Sequence, residues 1–173
     1  MIADGLKLDT TTAATDGQID AWAAAQGAST IPLAVREVLR LIGHRHRRWL
    51  AGSAYSLEGV DKQTKRSAIA HLAVMEHSMV DPAGMLVLVE HQAYEFYVID
   101  GADLNEPDPP VWWISEQEAA EVGWSKVTDW FEAVAPNVKD DMARLELKRQ
   151  SGRRISPGWA ECYDLEWLKN YNG

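Results

Sequence analysis

Apolar residues recur at helical spacing in the first half of the chain, and this spacing predicts three helices. The first begins at Asp16, a good N-cap residue, and ends at Gly27, a natural helix stop. The second begins at Pro32, whose fixed φ suits a first turn, and the third runs from about Asp61 to Met79. The apolar positions behind these predictions are Ile19, Trp22 and Ala23, then Val35, Val38, Leu39 and Ile42, then Ile69, Leu72, Met75 and Met79.

The pattern changes to strands beyond the turn sequence at residues 81–84. Residues 85–89 form a continuous apolar run, and residues 94–99 are rich in aromatic and β-branched side chains. Because only four residues separate the two runs, they are predicted to form an antiparallel hairpin. A third strand is predicted at residues 111–114, after a proline-rich loop at residues 100–110.

Helices are predicted again after these strands. Ser125 is expected to cap an amphipathic helix that ends at Pro136, a weaker helical pattern spans residues 137–150, and a last helix follows Ser156. This order predicts a single α+β domain, a twisted and mainly antiparallel sheet flanked by helices. The predicted division is a flexible N-terminal segment at residues 1–15, the α+β domain at residues 16–136, and a C-terminal helical extension at residues 137–173 that packs on the same domain.

Composition narrows the class of protein. The chain has 173 residues, of which 46% are apolar and 25% charged, as is typical of a globular domain rather than a disordered one. Its single cysteine, Cys162, cannot form an internal disulfide, and the threonine-rich start does not resemble a secretion signal. No apolar run approaches the roughly 20 residues that a membrane span needs. A cytoplasmic protein is therefore predicted.

Acidic charge is concentrated in one stretch. Between Arg66 and Lys126 lie 59 residues without lysine or arginine, and they hold 11 of the 26 acidic side chains. The formal net charge of the whole chain is -9, so this stretch carries more negative charge than the complete molecule. A localised anionic field predicts a cationic partner and argues against nucleic acid. The basic runs at residues 44–48 and 144–154 are interpreted as solvated helix ends.

Short motifs along the chain carry a family resemblance. Trp22 and Gly27 precede Ile31-Pro32-Leu33, and Gln92, Tyr94 and Phe96 precede Asp108-Pro109-Pro110-Val111-Trp112, with Ser125, Trp130 and Phe131 after them. In this order they resemble the SUKH superfamily, which groups bacterial immunity proteins with a fungal regulator of cell-wall assembly. The resemblance covers roughly residues 16–136. Ala93 departs from it, because the family commonly has a glycine in that turn, and the helical segment 61–79 does not align.

The resemblance implies a function as well as a fold. It implies a non-enzymatic α+β domain that neutralises a polymorphic toxin, of nuclease or deaminase type, by direct binding and without a cofactor. The alternative is a regulatory or scaffold module that docks other proteins without inhibiting a toxin. The predicted partner-binding residues are a cluster of loop carboxylates with a nearby tryptophan and a strand glutamate, namely Asp100, Asp103, Glu106, Asp108, Trp113 and Glu95.

Other interpretations of these residues stay open. The four loop carboxylates also suit an ordinary solvated loop or a calcium site, although their spacing lacks the EF-hand pattern. Adjacent Trp112 and Trp113 must point to opposite faces of their strand, and a helix can cover the outward one. The histidines lack the spacing of metal ligands, so His91 is expected to form a strand-end hydrogen bond and Cys162 to be packed. A weak enzyme alternative would pair Glu90, His91 and Asp108.

Overall fold

A meandering antiparallel sheet organises the chain. The computed structural model describes residues 11–44, 49–50, 53–55, 57–116, 119–164 and 166–169. Within these ranges, five strands lie side by side in the order in which they occur along the chain. They are β1 (Ala54–Tyr55), β2 (Leu86–His91), β3 (Glu95–Ile99), β4 (Val111–Ser115) and β5 (Ala119–Trp124). The predicted α+β architecture with an antiparallel sheet is therefore confirmed.

Helices precede the sheet, interrupt it and follow it. They are α1 (Asp16–Ala25), α2 (Leu33–Ile42), α3 (Lys62–Leu72), α4 (Val127–Ala133), α5 (Val138–Gln150), α6 (Pro157–Cys162) and α7 (Glu166–Lys169). The stripe predicted for α2 is confirmed, because its four apolar residues are all buried. The predicted cap of α1 is displaced by one residue, since Thr15 accepts from the Gln18 amide and frees Asp16 for ion pairs.

Helix α3 differs from its prediction in length and in orientation. It begins after Asp61, whose carboxylate accepts the amides of Gln63 and Thr64, but it ends at Leu72 rather than near Met79. Its buried face is shifted from the predicted stripe, because Lys65 and Ala68 are buried while Ile69 is partly exposed. Burial costs the Lys65 ammonium its hydration and lowers its pKa, and its Nζ donates to the Gln26 carbonyl at 2.8 Å.

The hairpin between β2 and β3 forms as predicted, although its turn contains no glycine. Gln92 and Ala93 both adopt positive φ, +51° and +65°, and the Tyr94 amide donates to the His91 carbonyl across the turn. This is the geometry of a tight type I′ turn, which favours glycine or asparagine. Alanine is strained here, because its Cβ crowds the backbone in the left-handed region.

Strands β1 and β5 were not predicted from the sequence pattern. β1 is only two residues long and pairs with Val89 and Glu90, so Val87, which pairs with β3 on its other side, has no strand partner on the β1 side. The Gln26 side chain replaces that neighbour, because its amide accepts from the Val87 N–H and donates to the Val87 carbonyl. β5 contains alanine, glutamate and glycine, which are poor strand formers, so the sequence pattern did not predict this strand.

Helices pack against both faces of the sheet. α3 contacts β2 and β4 on one face, where the His71 ring lies 5.2 Å from that of Phe96. On the other face the Trp130 ring of α4 lies 6.2 Å from that of Tyr55. Leu145, Cys162 and Tyr163 from the C-terminal helices belong to the same buried core. None of the helices in the described ranges is long and apolar enough to cross a membrane.

Two predictions fall partly outside these ranges. The predicted flexible segment includes residues 1–10, which lie outside the described residues, whereas Ala14 is buried and its amide donates to the Leu39 carbonyl. The basic run at residues 44–48 also lies outside the described residues except for His44.

Candidate functional site: an aromatic-acidic sheet face

Asp100, one of the predicted partner-binding residues, is buried beneath the loop that it begins. Only 1% of the residue is exposed, and its carboxylate accepts the backbone amides of Val80, Asp81 and Ala102 at 2.5, 2.8 and 3.2 Å. A buried carboxylate that accepts three backbone amides has a structural role. Asp100 therefore holds the loop against the segment before β2 and is not placed to meet a partner.

Asp108 joins the same loop to α4. Its two oxygens accept the Thr128 amide at 3.1 Å and the Thr128 hydroxyl at 2.7 Å. The prediction that Ser125 caps this helix is wrong, because the Ser125 hydroxyl donates to Asp129 while the first-turn amide is bound by Asp108. One residue earlier in the loop, the Pro107 carbonyl accepts the Ala34 amide of α2. Residues 107–108 thus tie the beginnings of α2 and α4 together.

Asp103 and Glu106 are the other two carboxylates of this loop. Glu106 is exposed and Asp103 is partly exposed. Partial burial, together with the nearby charges of Asp100 and Glu106, raises the pKa of Asp103 above its ordinary value. Of the four loop carboxylates that the sequence suggested, Asp100 is therefore buried, Asp108 is partly exposed but bonded to Thr128, and Asp103 and Glu106 remain.

A different set of side chains converges on the open part of the sheet. Trp113 lies directly opposite Tyr97 on β3 and directly opposite Glu121 on β5, so the three side chains share one face. The Tyr97 hydroxyl donates to Glu95 at 2.6 Å, and the Tyr97 ring packs edge-on against Trp124 at 5.2 Å. We call these five residues, Glu95, Tyr97, Trp113, Glu121 and Trp124, the aromatic-acidic face.

This face is partly open to solvent. Tyr97, Trp113 and Trp124 are each partly exposed, and Glu121 is exposed. Partial burial and the neighbouring Glu95 carboxylate raise the pKa of Tyr97, so its hydroxyl stays protonated and donates. All five residues lie in the stretch without lysine or arginine, so these strands add no positive charge to the face.

A β-bulge at Gly123 makes room for Trp113. The register between β4 and β5 shifts between Val111 and Trp112, which leaves Gly123 as the extra residue. A Cβ on Gly123 would lie 3.3 Å from the Cβ of Trp113, closer than ordinary packing allows. Glycine at this position therefore lets the tryptophan side chain stand on the face.

The six predicted residues separate into two locations. Glu95 and Trp113 belong to the aromatic-acidic face, whereas Asp100, Asp103, Glu106 and Asp108 lie in the loop beyond the other end of β3. Of the two adjacent tryptophans, Trp112 is buried and Trp113 is the more accessible. The sequence missed Glu121 and Tyr97, because assigning both to this face requires knowledge of the strand register.

The groups of the enzyme alternative do not converge. Glu90 and His91 are neighbours on β2 and therefore point to opposite faces, and Asp108 is bound to Thr128. His91 makes the predicted hydrogen bond, with Nδ1 3.0 Å from the Ser53 hydroxyl, while its Nε2 lies 3.3 Å from the Gln92 amide nitrogen. The Ser53–His91 pair resembles the first two members of a catalytic triad, in which the histidine is oriented by a third group such as a carboxylate. Here the third group is the side-chain amide nitrogen of Gln92, which does not complete such a triad.

Cys162 and the possible metal ligands are the remaining chemical candidates among the described residues. Cys162 is packed as predicted, 2% exposed, with its thiol donating to the Gly158 carbonyl. Among the described residues, no group of three or more histidine, cysteine, aspartate or glutamate side chains is arranged to hold a metal ion.

Comparison with known proteins adds no relative. No family model matches the chain, and neither a curated protein nor a solved structure matches it. The SUKH resemblance therefore stays a prediction.

Proposed function

We propose that this chain is a non-enzymatic, cytoplasmic binding protein that neutralises a cationic toxin, of nuclease or deaminase type, by direct contact through the aromatic-acidic face. The observation that carries the proposal is the direct cross-strand placement of Trp113 between Tyr97 and Glu121, with Glu95 bound to the Tyr97 hydroxyl. This arrangement joins an aromatic anchor to carboxylates on strands that contain no lysine or arginine.

The aromatic residues supply the expected binding energy. Tryptophan and tyrosine are enriched at positions where truncation weakens a protein interface most, since they bury large areas with few rotatable bonds. Trp113 is held by its cross-strand neighbours and by the bulge at Gly123, so little conformational entropy is lost when a partner covers it.

The carboxylates supply the expected selectivity and rate. Nucleic-acid enzymes carry cationic surfaces that bind phosphates, and an anionic protein competes for such a surface. Glu95 and Glu121 flank the aromatic residues, and the excess of negative charge in the surrounding stretch steers a cationic partner toward this side of the chain.

The resemblance to immunity proteins supports the same proposal independently. It implies a domain of α+β architecture that acts by binding, and the sheet flanked by helices agrees with that architecture. A regulatory module would present the same fold, so the two functions are separated by whether binding inhibits the partner.

The decisive experiment first searches the genes beside this one for a toxin domain and then co-expresses that domain with this chain. We expect co-expression to restore growth of cells that produce the toxin, and the two proteins to co-purify at moderate salt. Trp113→Ala should weaken the complex by about 2 kcal/mol, or roughly thirtyfold in Kd. Trp159→Ala serves as the control, because Trp159 is also partly exposed but lies on α6.

Two outcomes would count against the proposal. Binding without restored growth would favour the regulatory alternative. Equal affinity for the wild-type protein and Trp113→Ala would remove the aromatic-acidic face from the interface, provided that circular dichroism shows both to be folded.

A further inference from the structure

A groove of about 570 Å³ lies on another part of the molecule, between α2, α4 and the loop before β4. Its apolar lining residues include Leu33, Leu41, Trp49 and Phe131. The Trp49 and Phe131 rings stack at 5.9 Å with an angle of 11° between their planes, which gives the groove a flat aromatic wall. Leu33 and Leu41 are each 58% exposed, an unusual degree for leucines on one helix face.

Every charged side chain among the described residues that line this groove is acidic. Glu37 on α2, Asp108 in the loop and Glu132 on α4 line it, and no described lining residue is lysine, arginine or histidine. The nearest arginines of α2, Arg36 and Arg40, form ion pairs with Asp16 and Asp20 of α1. Arg40 also contacts Glu37 at 2.5 Å, which leaves Asp108 and Glu132 as the acidic edge on the α4 side.

The dimensions of the groove suit a helix. Leu33 and Leu41 are eight residues apart on α2, which corresponds to about 12 Å along the helix axis at 1.5 Å per residue. That length matches about two turns of a docked helix, whose apolar side chains at positions i, i+4 and i+7 would face the groove. The hydrogen bonds from residues 107–108 to α2 and α4 hold the two walls together at one end.

We propose that this groove binds a cationic amphipathic helix of a partner protein. Its leucine-like side chains would pack on Leu33, Leu41 and Phe131, and its flanking lysines or arginines would meet Asp108 and Glu132. This inference does not depend on the aromatic-acidic face, because the two surfaces have no residue in common.

A designed peptide provides the test. The probe is a capped helical peptide of about 15 residues, in which leucines recur at i, i+4 and i+7 and lysines occupy the flanking positions. A second peptide keeps the leucines and replaces lysine by glutamate, and a third keeps the lysines and replaces leucine by serine. Binding to the full-length protein is followed by NMR mapping of backbone amides and by fluorescence titration.

The expected result has three parts. The lysine-leucine peptide shifts amides of α2 and α4, it binds at least about tenfold more tightly than either control peptide, and its affinity falls with salt. The double variant Leu33→Ser/Leu41→Ser weakens binding by at least about tenfold, whereas Leu147→Ser on α5 leaves it unchanged. Leu147 is the matched control because it is 65% exposed and lies outside the groove.

Charge is tested separately. Glu132→Gln should weaken binding of the lysine-leucine peptide by about threefold, and Glu76→Gln, at an exposed carboxylate after α3, should have no effect. Both substitutions remove a charge and keep the size of the side chain. Weaker peptide binding by Glu132→Gln alone would therefore show that the acidic edge of the groove contacts the peptide.

Several results would overturn the proposal. Equal binding of the glutamate-leucine peptide would remove the charge argument, and amide shifts confined to β3 to β5 would move the site to the sheet. A dimer that Leu33→Ser/Leu41→Ser dissociates would show that a second copy of the chain occupies the groove. Because groove variants leave the aromatic-acidic face intact, loss of peptide binding with unchanged toxin binding would separate this inference from the proposed function.

Discussion

The loop at residues 100–108 and the aromatic-acidic face are both rich in carboxylates, but they use them differently. In the loop, Asp100 binds three backbone amides and Asp108 binds Thr128, so these charges hold the chain in place. On the sheet, Glu121 is exposed beside a partly exposed tryptophan. The loop carboxylates Asp100 and Asp108, which are close in sequence, therefore stabilise the fold. Glu95 and Glu121, which the strand register brings to one face, form the better candidate for a binding surface.

The largest expected effect comes from Asp100→Ala. Loss of the carboxylate leaves three backbone amides without their acceptor in a buried setting, so the free energy of unfolding should fall by about 3 kcal/mol. Urea denaturation measures this change, with Glu106→Ala as the control in the same loop, expected to cost less than about 0.5 kcal/mol because Glu106 is exposed. Equal, small losses for both variants would mean that Asp100 has no structural role.

A smaller effect is expected for Asp108→Ala, which removes the acceptor at the beginning of α4. The loss should be about 1 kcal/mol, as for other helix-capping side chains. A double-mutant cycle with Thr128→Val isolates the hydroxyl contact, since the valine lacks the donor and keeps the shape. Strictly additive losses would contradict a direct interaction between the two side chains.

On the sheet side, Ala93→Gly should stabilise the protein. Glycine adopts the +65° φ of this turn without a steric penalty, so the free energy of unfolding should rise by about 0.5 kcal/mol after the added entropy of the unfolded chain is subtracted. Gly17→Ala within α1 provides a control for the general effect of glycine, because a Cβ there meets no atom within 4 Å. Destabilisation by Ala93→Gly would show that the turn carries no strain.

The smallest effect is expected for Asp103→Asn, and it depends on pH. The pKa of Asp103 is raised in the folded state, so the folded protein binds a proton more tightly there than the unfolded chain. Stability contributed by this group is therefore lost as pH rises above the unfolded value of about 3.8. The variant should be more stable than wild type by a few tenths of a kcal/mol at neutral pH, and the difference should disappear in acid. A constant difference across the pH range would contradict this.

The helices and the central hairpin were predictable because their signals are local. The stripe of Val35, Val38, Leu39 and Ile42 and the apolar runs of β2 and β3 each occupy consecutive residues. The buried face of α3 was predicted wrongly, because Lys65 is buried and Ile69 is exposed. Packing of α3 against the sheet and the end of α1 decides which residues are buried, and the sequence pattern does not show this packing.

The candidate site was only half predictable for the same reason. Trp113 and Glu95, which were predicted to bind a partner, lie on one sheet face, but Glu121 and Tyr97 join them only through the strand register. β5 also contains few of the residues typical of strands. The roles of Asp100 and Asp108 depend on amides about 20 residues away, which no local pattern records.

The most direct test uses the cognate toxin domain once it is identified. It compares the rates at which this domain associates with the wild-type protein and with two double variants at low salt, by stopped-flow fluorescence. Glu95→Gln/Glu121→Gln neutralises the aromatic-acidic face, and Asp103→Asn/Glu106→Gln neutralises the accessible carboxylates of the loop. The account predicts that the first pair slows association by about fivefold or more and the second by less than about twofold. The opposite order, or equal rates for all three proteins, would contradict it.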